Sequence, residues 1–291
     1  MPNFAKSIIM SMRFLYKIVT LTIVLGSLMT SCGEYTKITK SGDAQLKYDK
    51  AFEYYEKEDY VKAATLLEAT VPTFRGTEKG EKGLFTLAMA YFKNKDYVMA
   101  KSYFSTYCKG YPSGTYAEEA RFHVGYCYYL DSPDVQLDQT STQKAIDELL
   151  NFSQLYPNSE KLPRALDMIK DMREKLAEKD YLSAKLYYDL GDYMGNNYLS
   201  AVVTATNALK KYPDTQYKEE LSFLILKSKY MQAVKSVETK KEDRYRDTVD
   251  EYYNFVRDFP ESEYKKEANK FLERSRYFLD KNKTKEENNK K

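Results

Sequence analysis

Tryptophan is absent from this 291-residue sequence, histidine occurs once, and cysteine occurs three times. So small a set of nucleophiles and soft ligands leaves little from which to build a catalytic triad or a zinc cluster. Glycine (11) and proline (8) are also scarce, which excludes a collagen-like chain and argues against a turn-rich β-protein. No glycine-rich phosphate loop follows a strand-like run, so nucleotide chemistry has no anchor. A basic excess is missing as well. The formal net charge of +3 is carried entirely by Lys6, Arg13 and Lys17, in a stretch of 31 residues without an acid, and the remainder is neutral. A neutral chain offers no electrostatic footprint for nucleic acid.

What is abundant is tyrosine (29 residues), within 43% hydrophobic and 31% charged composition. That profile suits an all-α protein packed with Ala, Leu and Tyr. The N-terminus is an address: a polar, basic start is followed by the apolar run 18–29, IVTLTIVLGSLM, too short for a permanent membrane span. Met12, just before RFLYK, is an alternative start to Met1. Thr30, Ser31, Cys32 and Gly33 resemble a bacterial lipobox, with Met29 where Leu is usual. The expectation is a signal peptide over 1–31 and acyl chains, such as palmitate, on Cys32; ordinary cleavage beside a chance cysteine is the alternative. No other cofactor and no metal is expected. Cys108 and Cys127 lie in apolar helical stretches and read as buried free thiols, with a bridge as the alternative.

Pro72, Pro112, Pro157, Pro213 and Pro260 each follow Val, Tyr or Phe, at intervals of 40, 45, 56 and 47 residues. Twelve residues before the last four stand Ala100, Ala145, Ala201 and Thr248; fifteen before stand Tyr97, Thr142, Tyr198 and Tyr245, near the expected start of each second helix. The pattern is helix, tight turn, antiparallel helix, then an aromatic-proline stop. Thr115, Ser159, Thr215 and Ser262 are expected to cap the next helix, Thr115 with Glu118 as a capping box. Leu87, Ala88, Tyr91, Ala100, Phe104 and Pro112 resemble the tetratricopeptide (TPR) signature. The reading is a right-handed superhelix of about five TPR hairpins. It comprises a lipid-anchored linker over 32–40, repeats over 41–74, 80–113, 115–158, 160–214 and 215–261, a cap over 263–280 and a disordered tail over 281–291. A loop insertion follows Leu130, and the long first segment of repeat 4 reads as one helix or as two joined near Lys179.

In the TPR pattern three positions per first helix face a peptide groove. Here they fall on Tyr48, Phe52 and Tyr55; on Phe85, Met89 and Phe92; and on Phe122, Tyr126 and Tyr129. An aromatic groove suits an extended, aromatic-rich peptide, because rings give large contact area at low entropy cost. The competing reading is that the rings pack on one another as core. His123 reads as a core or surface residue, and Glu118, Glu119, Glu219 and Glu220 as solvated faces. No catalytic residue is assigned.

Cys32 followed closely by the first repeat, the junctions LYPNSE and KYPDTQY, the run LDQTSTQKAIDELL and the segment KDYLSAKLYYDLGDYMGNNYLSAVVTATNALKKYP together resemble the BamD family, TPR lipoproteins of the β-barrel assembly machinery. The resemblance covers roughly residues 32–280. It implies a non-enzymatic scaffold on the periplasmic face of the outer membrane. The N-terminal repeats would meet unfolded β-barrel substrates, and the region from about Leu190 to Asp280 would meet the periplasmic domains of the barrel subunit BamA. The alternative is a cell-envelope TPR adaptor for peptidoglycan or division proteins, though such adaptors carry a coiled coil before the repeats and no lipid-bearing cysteine.

Overall fold

The computed structural model describes residues 33–289, with side chains to residue 284; the expected signal peptide over 1–31 and the expected lipid site Cys32 lie outside the described residues. No strand occurs among them. After a helical segment over 33–40 come α1 (Ala44–Glu56), α2 (Tyr60–Thr70), α3 (Glu78–Lys93), α4 (Tyr97–Gly110), α5 (Ala117–Leu130) and α6 (Thr140–Leu155). Then follow α7 (Leu162–Leu190), α8 (Asn197–Lys211), α9 (Lys218–Val234), α10 (Glu238–Asp258) and α11 (Lys265–Asn289). The chain divides into two compact units, one ending at Cys127 and the other starting at Tyr128, within α5.

In the first unit one device closes both hairpins. Glu58 adopts a left-handed conformation (φ 60°) and donates its N–H to Tyr55 O at 3.0 Å, while Asp59 N–H reaches Tyr54 O at 2.9 Å. Lys95 (φ 63°) and Asp96 repeat this on Phe92 O and Tyr91 O, both at 3.0 Å. These are Schellman ends, which satisfy the last helix carbonyls. The same aspartates then cap the next helix: Asp59 Oδ1 accepts from Lys62 N–H at 3.3 Å and Asp96 Oδ1 from Met99 N–H at 3.0 Å. One residue thus ends a helix and starts its partner, which folds α2 onto α1 and α4 onto α3. In the second unit Asn196 caps α8, accepting from Leu199 N–H at 3.2 Å.

The small residues at the repeated positions sit where helices approach most closely. Ala51, Ala63, Ala88 and Ala100 in the first unit, and Ala145, Ala201 and Thr248 in the second, are fully buried. Tyr97, Thr142 and Tyr198 lie in the first turn of their helices, but Tyr245 lies deeper in α10, because that helix starts early, at Glu238.

The aromatic-proline junctions are four copies of one conformation. Tyr111, Tyr156, Tyr212 and Phe259 end α4, α6, α8 and α10 with φ between −135 and −129° and ψ between 63 and 68°. Proline excludes the helical region for the residue before it, so each aromatic is the last to donate back along its helix. Two turns follow. Gly114, Ser159, Thr215 and Ser262 donate N–H to the aromatic's carbonyl at 3.1 to 3.3 Å, and their own carbonyls accept from Ala117, Leu162, Lys218 and Lys265 at 3.0 to 3.3 Å. The capping expectation is corrected here. The hydroxyls of Ser159, Thr215 and Ser262 accept from the N–H two residues on (Lys161, Tyr217, Tyr264; 3.0 to 3.3 Å), so they shape the turn rather than cap the helix. In the second junction the equivalent residue is Gly114. Thr115 gives its N–H to Glu81 Oε1 at 2.6 Å, and its hydroxyl makes no bond to α5. Pro72 differs from the other four, starting a 3-10 turn, Val71–Phe74, that prolongs the end of α2.

A second ring locks three of these seams. Tyr116 stacks on Phe85 of α3 and Tyr264 on Phe223 of α9, both at 4.4 Å and 10°; Tyr217 stacks on Tyr181 of α7 at 5.3 Å and 16°. The inserted loop 131–139 is tied to α7, a single continuous helix. Lys175 Nζ donates to Ser132 Oγ at 2.8 Å and Pro133 O at 3.1 Å, and Lys179 donates to Leu137 O.

Two expected boundaries move. Residues 33–40 are helical rather than a linker: Ile38 is 5% exposed within the first core, and Tyr35 packs edge-on against Tyr54 at 5.7 Å. The last helix runs to Asn289, past the Asp280 where a tail was expected, because Lys and Glu favour helix and no Gly or Pro stops them. Asp96→Ala is expected to destabilise the first unit by about 1 kcal/mol. Lys95→Gly, relieving a left-handed residue, is expected to stabilise it by about 0.5–1 kcal/mol; urea unfolding of both variants measures the signs.

Candidate functional site

The ring positions on α1, α3 and α5 fall into two groups. Tyr48 is buried, donates its hydroxyl to Lys79 O at 3.0 Å, and packs on Phe52 and Phe74 at 4.9 and 5.2 Å. Phe122 is 2% exposed. Phe85 is held by Phe104, Tyr107 and Tyr116, the last in the seam stack. These three are packing residues.

Phe52, Tyr55, Met89, Phe92 and Tyr126 are half-buried, each keeping part of its surface in solvent. Their positions are fixed by neighbours on the inner side. Tyr55 meets Tyr60 edge-on at 5.4 Å, and Phe92 contacts Tyr97, His123 and Tyr126 at 5.8, 4.8 and 5.4 Å. Lys82 Nζ stands 5.0 Å from the centroid of Phe52. The first unit therefore carries aromatic faces that are pre-oriented and still open, the combination that lowers the entropy cost of binding. Tyr129 belongs to the second unit, where its hydroxyl donates to Asp171 Oδ2 at 3.2 Å.

His123 is a core residue, 6% exposed and stacked on Phe104 at 4.9 Å, with Nδ1 2.9 Å from Glu119 O and 3.3 Å from Glu119 Oε1. Cys108 and Cys127 are buried and not joined in a disulfide. Glu118, Glu119, Glu219 and Glu220 are half-buried rather than solvated faces. One oxygen each of Glu219 and Glu220 is buried without a hydrogen-bond partner.

Sequence reasoning missed the carboxylates that organise the tyrosines. Glu68 Oε1 accepts from Tyr91 and Tyr103 at 2.6 and 2.7 Å, and Glu81 Oε1 accepts from Tyr107 at 2.6 Å besides Thr115 N–H. In the second unit Glu174 Oε2 accepts from the Thr215 hydroxyl at 2.8 Å and Gln216 N–H at 3.2 Å, joining α7 to the following junction. Unequal repeat lengths hide this: Glu81 and Glu174 stand at different distances from the prolines they serve.

The second unit has its own surfaces. Tyr181, Tyr188, Phe223 and Tyr264 line a cleft of about 220 Å³. Lys227 Nζ lies 4.6 Å from the ring centroid of Tyr188 and 3.9 Å from Glu267. The end of α7 and its turn expose Leu186, Leu190, Tyr193 and Met194, the last 90% exposed at a left-handed φ of 53°. No group of three metal-ligating side chains occurs among the described residues. No helix among them is long and apolar enough to cross a membrane.

Packed helical hairpins of TPR-like form define a protein of the helical-repeat class. The model of the family YfiO, described as outer membrane lipoprotein, matches residues 40–196 and 190–283. The chain belongs to that family, and its place is the outer membrane. It is similar to the putative outer membrane protein assembly factor BamD of Aquifex aeolicus, 26% identical over 214 residues, 71% of this chain and 67% of that protein. It is also similar to the outer membrane protein assembly factor BamD of Caulobacter vibrioides, 22% identical over 152 residues, 52% of this chain and 48% of that one.

Burial and nearby acids set a pH limit. Burial foremost raises the hydroxyl pKa of Tyr48, Tyr103 and Tyr188 from 10.0 to about 12, the bond to Glu68 adding to it at Tyr103. Tyr91 and Tyr107 are raised further, by burial and then by Glu68 and Glu81. Between the two values the native state holds protons that the unfolded chain has released, so stability falls as pH rises. Urea midpoints are expected to lose stability from pH 10 towards about 12, with tyrosinate absorbance rising together with unfolding rather than before it.

Proposed function

We propose that this chain is a lipid-anchored scaffold that helps assemble β-barrel proteins of the outer membrane. The assembly role rests on family membership and on two similar proteins named assembly factors. Acyl chains on Cys32 hold the chain at the periplasmic face, since several chains on one residue anchor firmly. No catalytic step is involved. The ring surface of the first unit binds extended, aromatic-rich segments of unfolded barrel substrates, and the second unit binds the periplasmic domains of a BamA-like barrel subunit. The observation that carries the substrate reading is the set of half-buried side chains at Phe52, Tyr55, Met89, Phe92 and Tyr126, four rings and a thioether. A β-barrel strand alternates outward apolar residues with inward polar ones and carries aromatics at the membrane interfaces, so one of its faces offers an apolar, aromatic row to ring faces.

Tyr55→Ala and Tyr126→Ala are expected to weaken binding of a peptide copied from the last strand of a β-barrel protein, with the thermal transition nearly unchanged. Phe85→Ala and Phe122→Ala are expected to destabilise the unit by about 3–5 kcal/mol. Equal stability losses in all four variants, without selective loss of binding, would make the rings plain core.

For the barrel subunit, the exposed apolar turn at Tyr193 and Met194 is the strongest contact candidate within the region beginning near Leu190. Affinity purification from a detergent extract of membranes is expected to recover an outer-membrane β-barrel subunit with periplasmic repeats. Tyr193→Ala with Met194→Asp is expected to reduce that recovery, and Cys32→Ala to leave the chain in the soluble fraction. Recovery of division or peptidoglycan proteins in its place would favour the adaptor reading.

A further inference from the structure

One cleft of the first unit is not lined by any of the groove residues assigned above. It has a volume of about 660 Å³ and lies among the end of α2, its 3-10 turn, α3 and α4. Its floor is apolar, made by Val71, Pro72, Leu84 and Leu87. Two cations line it, Arg75 and Lys109, both exposed and neither engaged in an ion pair or side-chain hydrogen bond. The one acid in its wall, Glu68, is already bound through Oε1 by the hydroxyls of Tyr91 and Tyr103. Uncompensated cations beside an apolar floor favour a ligand carrying an apolar group next to an anion.

We propose that this cleft is a second peptide-binding site, one that takes an extended segment of a partner protein presenting an apolar side chain immediately followed by acidic residues. The apolar side chain fills the floor between Pro72 and Leu87, and the acids meet Arg75 and Lys109. A peptide fits better than an acyl anion because the cleft is half-open and passes two side-chain-free positions. Gly76 and Gly110 both line it, and a Cβ at either would face open space. That leaves room for a backbone to run across. Gly76 also has φ +79° and donates its N–H to the Tyr111 hydroxyl at 3.1 Å, which fixes this edge of the cleft. The volume lies within the range of about 300–1,000 Å³ typical of specific sites, and exceeds what one side chain needs. The site is independent of the substrate surface: its partner is recognised by negative charge, which the rings do not read.

The test uses the full-length lipoprotein in phosphatidylethanolamine vesicles and a fluorescein-labelled peptide, Gly-Ser-Gly-Phe-Asp-Asp-Gly-Ser, followed by fluorescence anisotropy. Saturable binding is expected, falling by about tenfold or more when Arg75→Glu and Lys109→Glu are combined. Replacing both peptide aspartates by asparagine is expected to cause a similar loss in the wild type and little further loss in that double variant. Thr106→Trp, at an exposed position of the wall, is expected to block binding; thermal melts of the variants confirm that they fold. The proposal is overturned if no saturable binding occurs below about 1 mM, if the asparagine peptide binds equally well, or if laurate displaces the peptide at lower concentration than unlabelled peptide does. Loss of binding in Tyr55→Ala with retention in the Arg75 and Lys109 double variant would place the peptide on the ring surface, ending this proposal and leaving the scaffold reading intact.

Discussion

The bond between an aromatic residue's backbone and its own helix, made just before a proline, is the constraint on which four of the hairpin exits depend. Proline denies the preceding residue a helical ψ, so Tyr111, Tyr156, Tyr212 and Phe259 all settle in the same narrow conformation. Two short turns then have only one route to the next helix. Carboxylates add a side-chain bond at two of these joints, Glu81 after α4 and Glu174 after α8, each reaching from the first helix of its hairpin. Stacked rings complete the joint at Tyr116, Tyr217 and Tyr264. A polar turn that would otherwise be loose is thereby held by backbone, ring and charge together.

The same joints explain how rigid and open rings coexist. Phe85 is at a sequence position that TPR patterns assign to the groove, yet the seam stack and two further rings claim it. Its neighbours along the helix, Met89 and Phe92, are half-buried like Phe85 itself but have no seam to fill. A helical face is thus divided within two turns between side chains held in a joint and side chains outside it. The tyrosine–glutamate pairs behave similarly. They stiffen the side of the unit where Glu68 sits, and they leave Arg75 and Lys109 beside it without acidic partners.

Much of this was legible in the sequence, for reasons that can be named. Proline spacing and small residues twelve positions upstream act within one hairpin, so local chemistry suffices to place them. The capping assignment failed because Ser159, Thr215 and Ser262 turn their hydroxyls to the N–H two residues on, and because Thr115, three rather than two residues after its proline, is out of register with them. The stretch after Cys32 looked like a linker because a short helix carries few signals, and its stability comes from Ile38 and Tyr35 docking on the first core. The half-buried state of Glu118, Glu119, Glu219 and Glu220 was equally invisible, since burial depends on neighbouring helices.

The sequence by itself determined the helical hairpins and their stops, because proline sterics and helical spacing are properties of neighbouring residues. Only the tertiary structure decided which aromatic rings are core and which keep a face in solvent. It also decided which glutamates hold tyrosines and which cations are left over. Those outcomes turn on contacts between helices, such as those of Glu68 with Tyr91 and Tyr103, 23 and 35 residues away, where a change of a few residues in one loop rotates which side chains meet.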